Sequence, residues 1–270
     1  MGIRISVSEI MDWESCAWLW DYKYQRKVRV QRELDESEDM AFTVSGSAIH
    51  FGVEWMLSGV ASGTHEQLLD EGVKAGYAYL DRFDGRAARL KPGVARAISA
   101  FPPGLLEKRP VTEARYSEVV EEFDVQWRPD LWWFEDGVIH VMDVKSTSKD
   151  PNQQLEFYGV FDTKTRYYAW LLHRQLSRLE VVVPPIFISH LILTTKGKVV
   201  RGSPQLVGLG EISRLEERFL GKARLVRTHD YPTEGYRCQS CEFKDVCAIR
   251  LTGGDWEDKL IPRFDKPASV

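Results

Sequence analysis

The stretch from Val111 to Lys145 constrains the fold of this chain more than any other, because its β-branched and aromatic residues fall in short runs with turn residues between them. Such a segment buries one face as a strand and not as a helix. Val111 to Glu118, Glu122 to Phe134 and Val138 to Lys145 read as three strands, and Glu135-Asp136-Gly137 carries the turn chemistry of a hairpin between the last two. A sheet begins here.

The first hundred residues carry a different period. Ser6-Val7-Ser8-Glu9 has the form of a capping box ahead of Ile10, Trp13, Ala17 and Trp20 at helical spacing, which places Cys16 on a first helix. The acid-rich stretch Arg32 to Asp39 reads as a loop. Gly46-Ser47-Ala48-Ile49-His50 then leads into a second helix through Glu54 and Leu57, with His50 and Glu54 on one face. Leu68, Leu69, Val73, Tyr77 and Leu80 predict a helix within His65 to Arg96, and Phe101-Pro102-Pro103-Gly104 breaks the chain. Beyond the strands, a helix is expected within Gln153 to Leu179. A hairpin of Ile186 to Thr194 and Val199 to Arg201 around Lys196-Gly197-Lys198 and a charged helix over Ile212 to Val226 follow. This order predicts an α/β fold with a mixed central sheet flanked by helices. Three parts are expected: a mainly helical 1–110, a core of sheet and helices at 111–230, and a cysteine-bearing 231–270.

Composition excludes little. The apolar share of 43% and charged share of 28% suit a soluble globular protein, and 270 residues allow one large domain or two small ones. The net charge of −4 means that any nucleic acid must be met by a local basic surface. The N-terminus turns polar at once, and no apolar run approaches the roughly 20 residues of a membrane span, so a cytoplasmic protein is expected. There is no Walker A motif, so ATP-driven unwinding would have to come from another chain.

The chemistry concentrates at the end of the third strand. Alternation places Asp143 and Lys145 on one side of it, and the hairpin partner brings Asp130 within reach. Two carboxylates can hold a hard divalent cation that polarises a phosphodiester, while a neighbouring lysine orients water or steadies developing charge. Asp-x-Lys alone also ends many exposed strands. Glu113 on the preceding strand, Pro129-Asp130 and His50 strengthen the functional reading. The four cysteines form a second constellation, in which Cys238, Cys241 and Cys247 give C-x2-C-x5-C and Cys16 supplies a fourth thiolate. In a reducing compartment such a set suits a [4Fe–4S] cluster or a structural Zn²⁺, and the spacing does not choose between them.

Together these motifs resemble the PD-(D/E)xK nuclease superfamily, specifically its RecB-like branch, which includes CRISPR-associated four-cysteine exonucleases. Ser6-Val7-Ser8 … Cys16 is similar to the N-terminal motif of that branch, Gly46 to His50 to its glycine-to-histidine motif, and Glu113, Asp130 and Asp143-Val144-Lys145 to its acidic core. The resemblance implies a restriction-endonuclease-like sheet. It implies Mg²⁺ or Mn²⁺ held by His50, Asp130, Asp143 and the Val144 carbonyl, with Lys145 beside the attacking water. It favours iron–sulfur over zinc for the cysteines. Glu113 would orient water, bind a second metal or pair with Arg115. The branch also carries a glutamine and, four residues later, a tyrosine; Gln154 to Tyr158 fits that spacing, whereas Lys164 to Tyr168 fits the surrounding helix, and Tyr168 is the preferred assignment.

Arg86, Arg89, Lys91, Arg96, Lys108, Arg109 and Arg115, with Trp127, Trp132 and Trp133, are candidates for following phosphates and stacking on bases. The leading expectation is a metal-dependent DNA exonuclease acting on single strands or free ends, in recombination, repair or replication of a phage or bacterium, with a helicase or recombination protein as partner. A non-catalytic DNA-end-binding module and a structure-specific endonuclease are the alternatives.

Overall fold

The computed structural model describes residues 3–30, 38–58, 63–83, 85, 87–179, 182–228, 241, 243–255 and 257–262. The chain divides into two compact units. One is made of Met1–Glu33, Val119–Gln126 and Glu217–Val270, the other of Leu34–Glu118 and Trp127–Glu216.

The first unit opens with strand β1 (Ile3–Ser6), which the helical pattern behind it conceals in the sequence, and turns at Ser6 into α1 (Val7–Ser15). The Glu9 N–H donates to Ser6 Oγ and the Ser6 N–H to the Glu9 carboxylate, so the expected capping box is present. Cys16 does not lie on that helix. It is extended, at φ −171°, and joins α1 to α2 (Ala17–Trp20), which runs on into a π-helical turn over Asp21–Gln25. The break re-aims the chain so that the Trp20 indole N–H reaches Glu9 Oε1 at 3.0 Å. Strand β2 (Val28–Val30) follows.

Four helices then begin the second unit: α3 (Glu38–Ser58), α4 (His65–Asp81), α5 (Lys91–Ser99) and α6 (Pro103–Glu107). Residues 32–37 of the expected acidic loop lie outside the described residues, while Glu38 and Asp39 already belong to α3. The single helix expected within His65 to Arg96 is two, separated by turns and a 3-10 segment at Ala88–Leu90. Pro103 opens α6 instead of only breaking the chain, since a proline's missing N–H costs nothing in the first turn. Helices α3 and α4 touch through their backbones. A Cβ on Gly52 would stand 2.5 Å from the Gly72 carbonyl oxygen, and one on Gly72 would stand 2.9 Å from that of Gly52.

The strand region is more broken than its alternation suggests. Glu113 takes φ 47° and cuts the first expected strand into β3 (Val111–Thr112) and β4 (Tyr116–Val120). Arg128-Pro129-Asp130 cuts the second into β5 (Phe123–Trp127) and β6 (Leu131–Glu135), because Pro129 has no N–H to give a ladder. Asp136 at φ 51° and Gly137 at φ 76° form the expected hairpin turn into β7 (Val138–Thr147). After β7 come α7 (Pro151–Phe161) and α8 (Thr163–Ser177), two helices where one was expected, divided at Asp162. The chain continues through β8 (Ile186–Thr194), β9 (Val199–Arg201), β10 (Gln205–Val207), α9 (Leu209–Thr228), α10 (Lys244–Leu251) and β11 (Leu260–Pro262).

The main sheet runs β10-β8-β7-β6-β3, with β9 also paired to β8. Only β7 and β8 are parallel, and α7 and α8 form the crossover that parallel pairing requires. The sheet is therefore mixed and flanked by helices, as expected. Alternation along β7 sorts its side chains. Met142 and Val144 join Ala48, Ile49, Val94 and Ile98 in the core beneath α3 and α5, so Asp143 and Lys145 face the other way. In the first unit β1 runs parallel to β5, with Ile3 opposite Phe123, and β2 pairs with β11. No helix among the described residues is long and apolar enough to cross a membrane.

Candidate active site

Short-range register assembles the first half of the site. Thr112 lies opposite Leu131 in the β3/β6 ladder, so the Glu113 N–H meets the Asp130 carbonyl at 3.2 Å. Leu131 lies opposite Met142 in the β6/β7 hairpin, and this lets the Val144 N–H donate to Asp130 Oδ2 at 2.8 Å. Helix α3 adds His50 from above. Ligand atoms of His50, Glu113 and Asp130 all fall within 4.8 Å of one another, in a cleft that Glu54, Thr112 and Val144 help to line.

The second half comes from β7 itself and from α8. Lys145 Nζ stands 2.5 Å from Asp143 Oδ2, and Lys164 Nζ, from the first turn of α8, stands 3.6 Å from Oδ1. Asp143 is only 1% exposed, and beyond these two ion pairs its oxygens accept no hydrogen bond among the described residues. Lys164 lies over the Tyr168 ring at 5.3 Å and Lys145 over the Tyr158 ring at 5.5 Å. Both tyrosines weighed in the sequence thus touch a site lysine. Gln154 makes no described contact with these groups; its N–H is taken by the Asp150 carbonyl.

The charges act on one another within a largely buried site. Burial alone would raise the Asp130 carboxyl, but Lys164, His50, Lys145 and the Val144 N–H hold it below the usual range. Burial pushes the Asp143 carboxyl up, against the pull of Lys145. Burial opposes charge on Lys145 and Lys164 as well, yet the aspartates keep both pKa values above the usual lysine range. Burial lowers the His50 pKa, favouring the neutral imidazole that a metal needs. Glu113 is pushed up to about 7, by burial first and by the neighbouring Asp130 second. Its ion pair is with Arg128 at 2.6 Å and not with Arg115, because the turn that places Glu113 beside Asp130 also places it beside Arg128. Tyr168 is raised to about 12, chiefly by burial.

Two residues of this neighbourhood escape a sequence reading. Asp162 ends α7 and caps α8, accepting from the Lys164 N–H at 3.0 Å and the Thr165 hydroxyl at 2.6 Å. His190 on β8 lies opposite Asp143 in the parallel ladder and meets Asp162 at 2.8 Å through Nε2. It also stacks on Tyr158 at 6.0 Å. Asp162-Thr163-Lys164-Thr165 has the form of an N-cap, which is the signal available for it. Nothing in the sequence announces the β7/β8 register that delivers His190.

Asp162 also yields a stability prediction. Burial would raise its carboxyl, but the bonds from His190 and Thr165 and the charge of Lys145 hold it well below the usual range. Asp162→Ala should therefore cost about 2–4 kcal/mol at neutral pH in thermal or urea melts, and Asp162→Asn less, since asparagine also caps. A carboxyl depressed in the folded state stabilises fully above its unfolded pKa of about 3.9 and loses that contribution as pH falls through the folded value. The gap between wild type and Asp162→Ala should accordingly narrow only in strong acid; a gap already closing at pH 6 would contradict this.

The donor set fits a hard divalent cation: carboxylate oxygens and one imidazole around a cleft, with the buried Asp143 carboxylate met only by ammonium groups among the described residues. Elsewhere, Cys16, Cys241 and Cys247 are partly buried around the same small core of Leu19, Tyr22, Phe243 and Val246, and none forms a disulfide. Cys238 lies outside the described residues, as does Arg86. Of the expected nucleic-acid contacts, Trp127 and Trp133 are buried and packed on Tyr116 and His140, so neither can stack on a strand. The Trp132 indole donates to the Tyr116 hydroxyl. Lys91 pairs with Asp81, Lys108 with Glu135, and Arg96 donates to the Thr195 carbonyl.

Comparison with known proteins agrees with this geometry. The chain is similar in fold to the crystal structure of a protein from Eubacterium rectale named "Putative exonuclease", at 12% identity and a TM-score of 0.50, over 93% of this chain and 94% of the other. No curated protein matches it. The family model described as the PD-(D/E)XK nuclease superfamily matches residues 4–248, nearly the whole length, and the chain belongs to that superfamily.

Proposed function

We propose that the protein is a metal-dependent DNA exonuclease of the RecB-like branch, acting on single strands or free ends. The observation that carries this reading is the pairing of buried Asp143 with Lys145 on β7, beside Asp130 fixed by the Val144 N–H. His50, Asp130, Asp143 and the Val144 carbonyl would hold Mg²⁺ or Mn²⁺. When bound, the cation polarises the scissile phosphate and lowers the pKa of water. Lys145 and Lys164, both kept charged by the aspartates, donate to phosphate oxygens or to water but take up no proton. Tyr168, with its phenol pushed up to about 12, stays protonated at neutral pH and can only donate. Glu113, near 7, is the carboxylate of the set best placed in pKa to exchange a proton in the working range.

Cys16, Cys238, Cys241 and Cys247 are assigned to a [4Fe–4S] cluster, with structural Zn²⁺ as the rival occupant. In this reading 1–110 supplies His50 and Cys16, 111–230 the catalytic core and 231–270 the remaining thiolates. The setting is a bacterial or phage cytoplasm, beside a helicase or recombination protein that exposes the strand.

The direct test is incubation with Mn²⁺ or Mg²⁺ and four DNAs: linear and circular, each single-stranded and duplex. Linear molecules should be degraded and circular ones left intact. Cleavage of circles would make the enzyme an endonuclease, and binding without cleavage of any substrate would make it a non-catalytic end-binding module.

A further inference from the structure

The cleft residues His50 and Glu54 sit one turn apart on α3, and the next residue after each is aromatic. Phe51 and Trp55 therefore form a second stripe on the same helix, rotated by one residue from the cleft stripe. Trp55 is 53% exposed. Its ring is followed by Phe51 at 6.4 Å, Tyr79 of α4 at 5.9 Å from Phe51, and Phe83 at 6.0 Å from Tyr79. Exposed Arg82 lies over Phe51 and Tyr79, with its guanidinium 5.4 and 5.3 Å from the two centroids. Tyr79 and Phe83 are anchored against the core of the unit, so the row is held rigidly from below.

From this row we infer that the exposed Trp55 ring, backed by Phe51, Tyr79 and Phe83, is a stacking platform for the unpaired bases of a single DNA strand whose backbone enters the cleft at His50. Aromatic rings carried on successive turns beside a phosphodiester-cutting site suit a chain of bases, because every base has a π-face and stacking needs no particular sequence. Arg82 adds a cation that can meet phosphate; it already covers Phe51 and Tyr79, which leaves the exposed Trp55 ring as the face for a base. The platform rests on the nuclease reading for its substrate, but its own test is binding.

Binding of fluorescent dT20 should be measured in EDTA, so that the strand is not cut, for wild type, Trp55→Ala, Trp55→Tyr and Phe51→Leu. Trp55→Ala should bind dT20 roughly ten-fold more weakly, Phe51→Leu several-fold more weakly, and Trp55→Tyr nearly as wild type. Affinity for blunt duplex should hardly change, and an abasic strand of equal length should bind wild type as poorly as dT20 binds Trp55→Ala. Trp55 is half in solvent, so its truncation should leave the melting curve in place, and Phe51→Leu keeps an apolar side chain if it does not. Undiminished dT20 binding by Trp55→Ala, or equal binding of the abasic strand, overturns the platform. So does a change of oligomeric state in Trp55→Ala without loss of dT20 affinity, which would mark the row as a protein interface. Cleavage by wild type with Mn²⁺ is scored separately: cleavage with unchanged Trp55→Ala affinity sinks the platform alone, and absent cleavage with reduced affinity sinks the nuclease reading alone.

Discussion

Lys145→Met is expected to cut the rate of DNA degradation by about 10²–10³-fold, the usual loss when one preorganised donor is removed from a reacting phosphate or its water. The stem of methionine fills the same space, but buried Asp143 loses its nearest counter-charge, so the melting temperature should fall too, with Lys164 at 3.6 Å limiting the loss. Lys145→Arg should not restore activity, since a planar guanidinium cannot occupy the place of a point ammonium 2.5 Å from Asp143. Asp143→Asn should behave differently. It leaves Lys145 and Lys164 facing each other in a buried site with their main counter-charge removed, and breaking such a group costs about 3–5 kcal/mol as well as activity. Combining Asp143→Asn with Lys145→Met should recover stability but not cleavage, a non-additivity that a double-mutant cycle resolves. Lys145→Met enzyme cutting within a few-fold of wild type would remove Lys145 from the machinery.

The second large effect concerns the thiolates. Protein purified without air should be brown and contain iron, and Cys241→Ser should lose both colour and iron. A metal that closes so long a loop contributes several kcal/mol or more, and in a chain of this size each kcal/mol is worth about 2–4 °C. The melting temperature of Cys241→Ser should therefore fall by roughly 10 °C or more. One zinc per chain and no iron would replace the cluster with a structural zinc site, and full stability without either metal would reduce the cysteines to packed thiols.

What could be seen in advance follows the range of the interactions. Capping at Ser6, the hairpin at Asp136-Gly137 and the alternation of β7 are local, and all three were legible. Mixed pairing of the sheet followed from the order of elements. The break at Glu113 was not legible and that at Asp162 carried only the form of an N-cap, because each also depends on a conformation that neighbours in space impose. Glu113 is held left-handed where β3 leaves one ladder, and Asp162 is held extended by a hydrogen-bond set that includes His190, far along the chain. The same limit applied to the tryptophans. Exposure is a property of packing, so Trp127, Trp133 and Trp55 look alike in a sequence, and only Trp55 faces water.

The way the two units divide the chain has a consequence for how the protein comes into being. The second unit takes its residues from the interior, ending at Glu216, whereas the first draws on both ends and a short central insert. A ribosome delivering the chain in order completes the inner unit while Cys16 has been waiting since the start for Cys241 and Cys247. If the thiolates hold the proposed metal, its insertion would be the last event of maturation, and a message truncated just past Glu216 would release His50, Asp130, Asp143 and Lys145 with the outer unit left unbuilt.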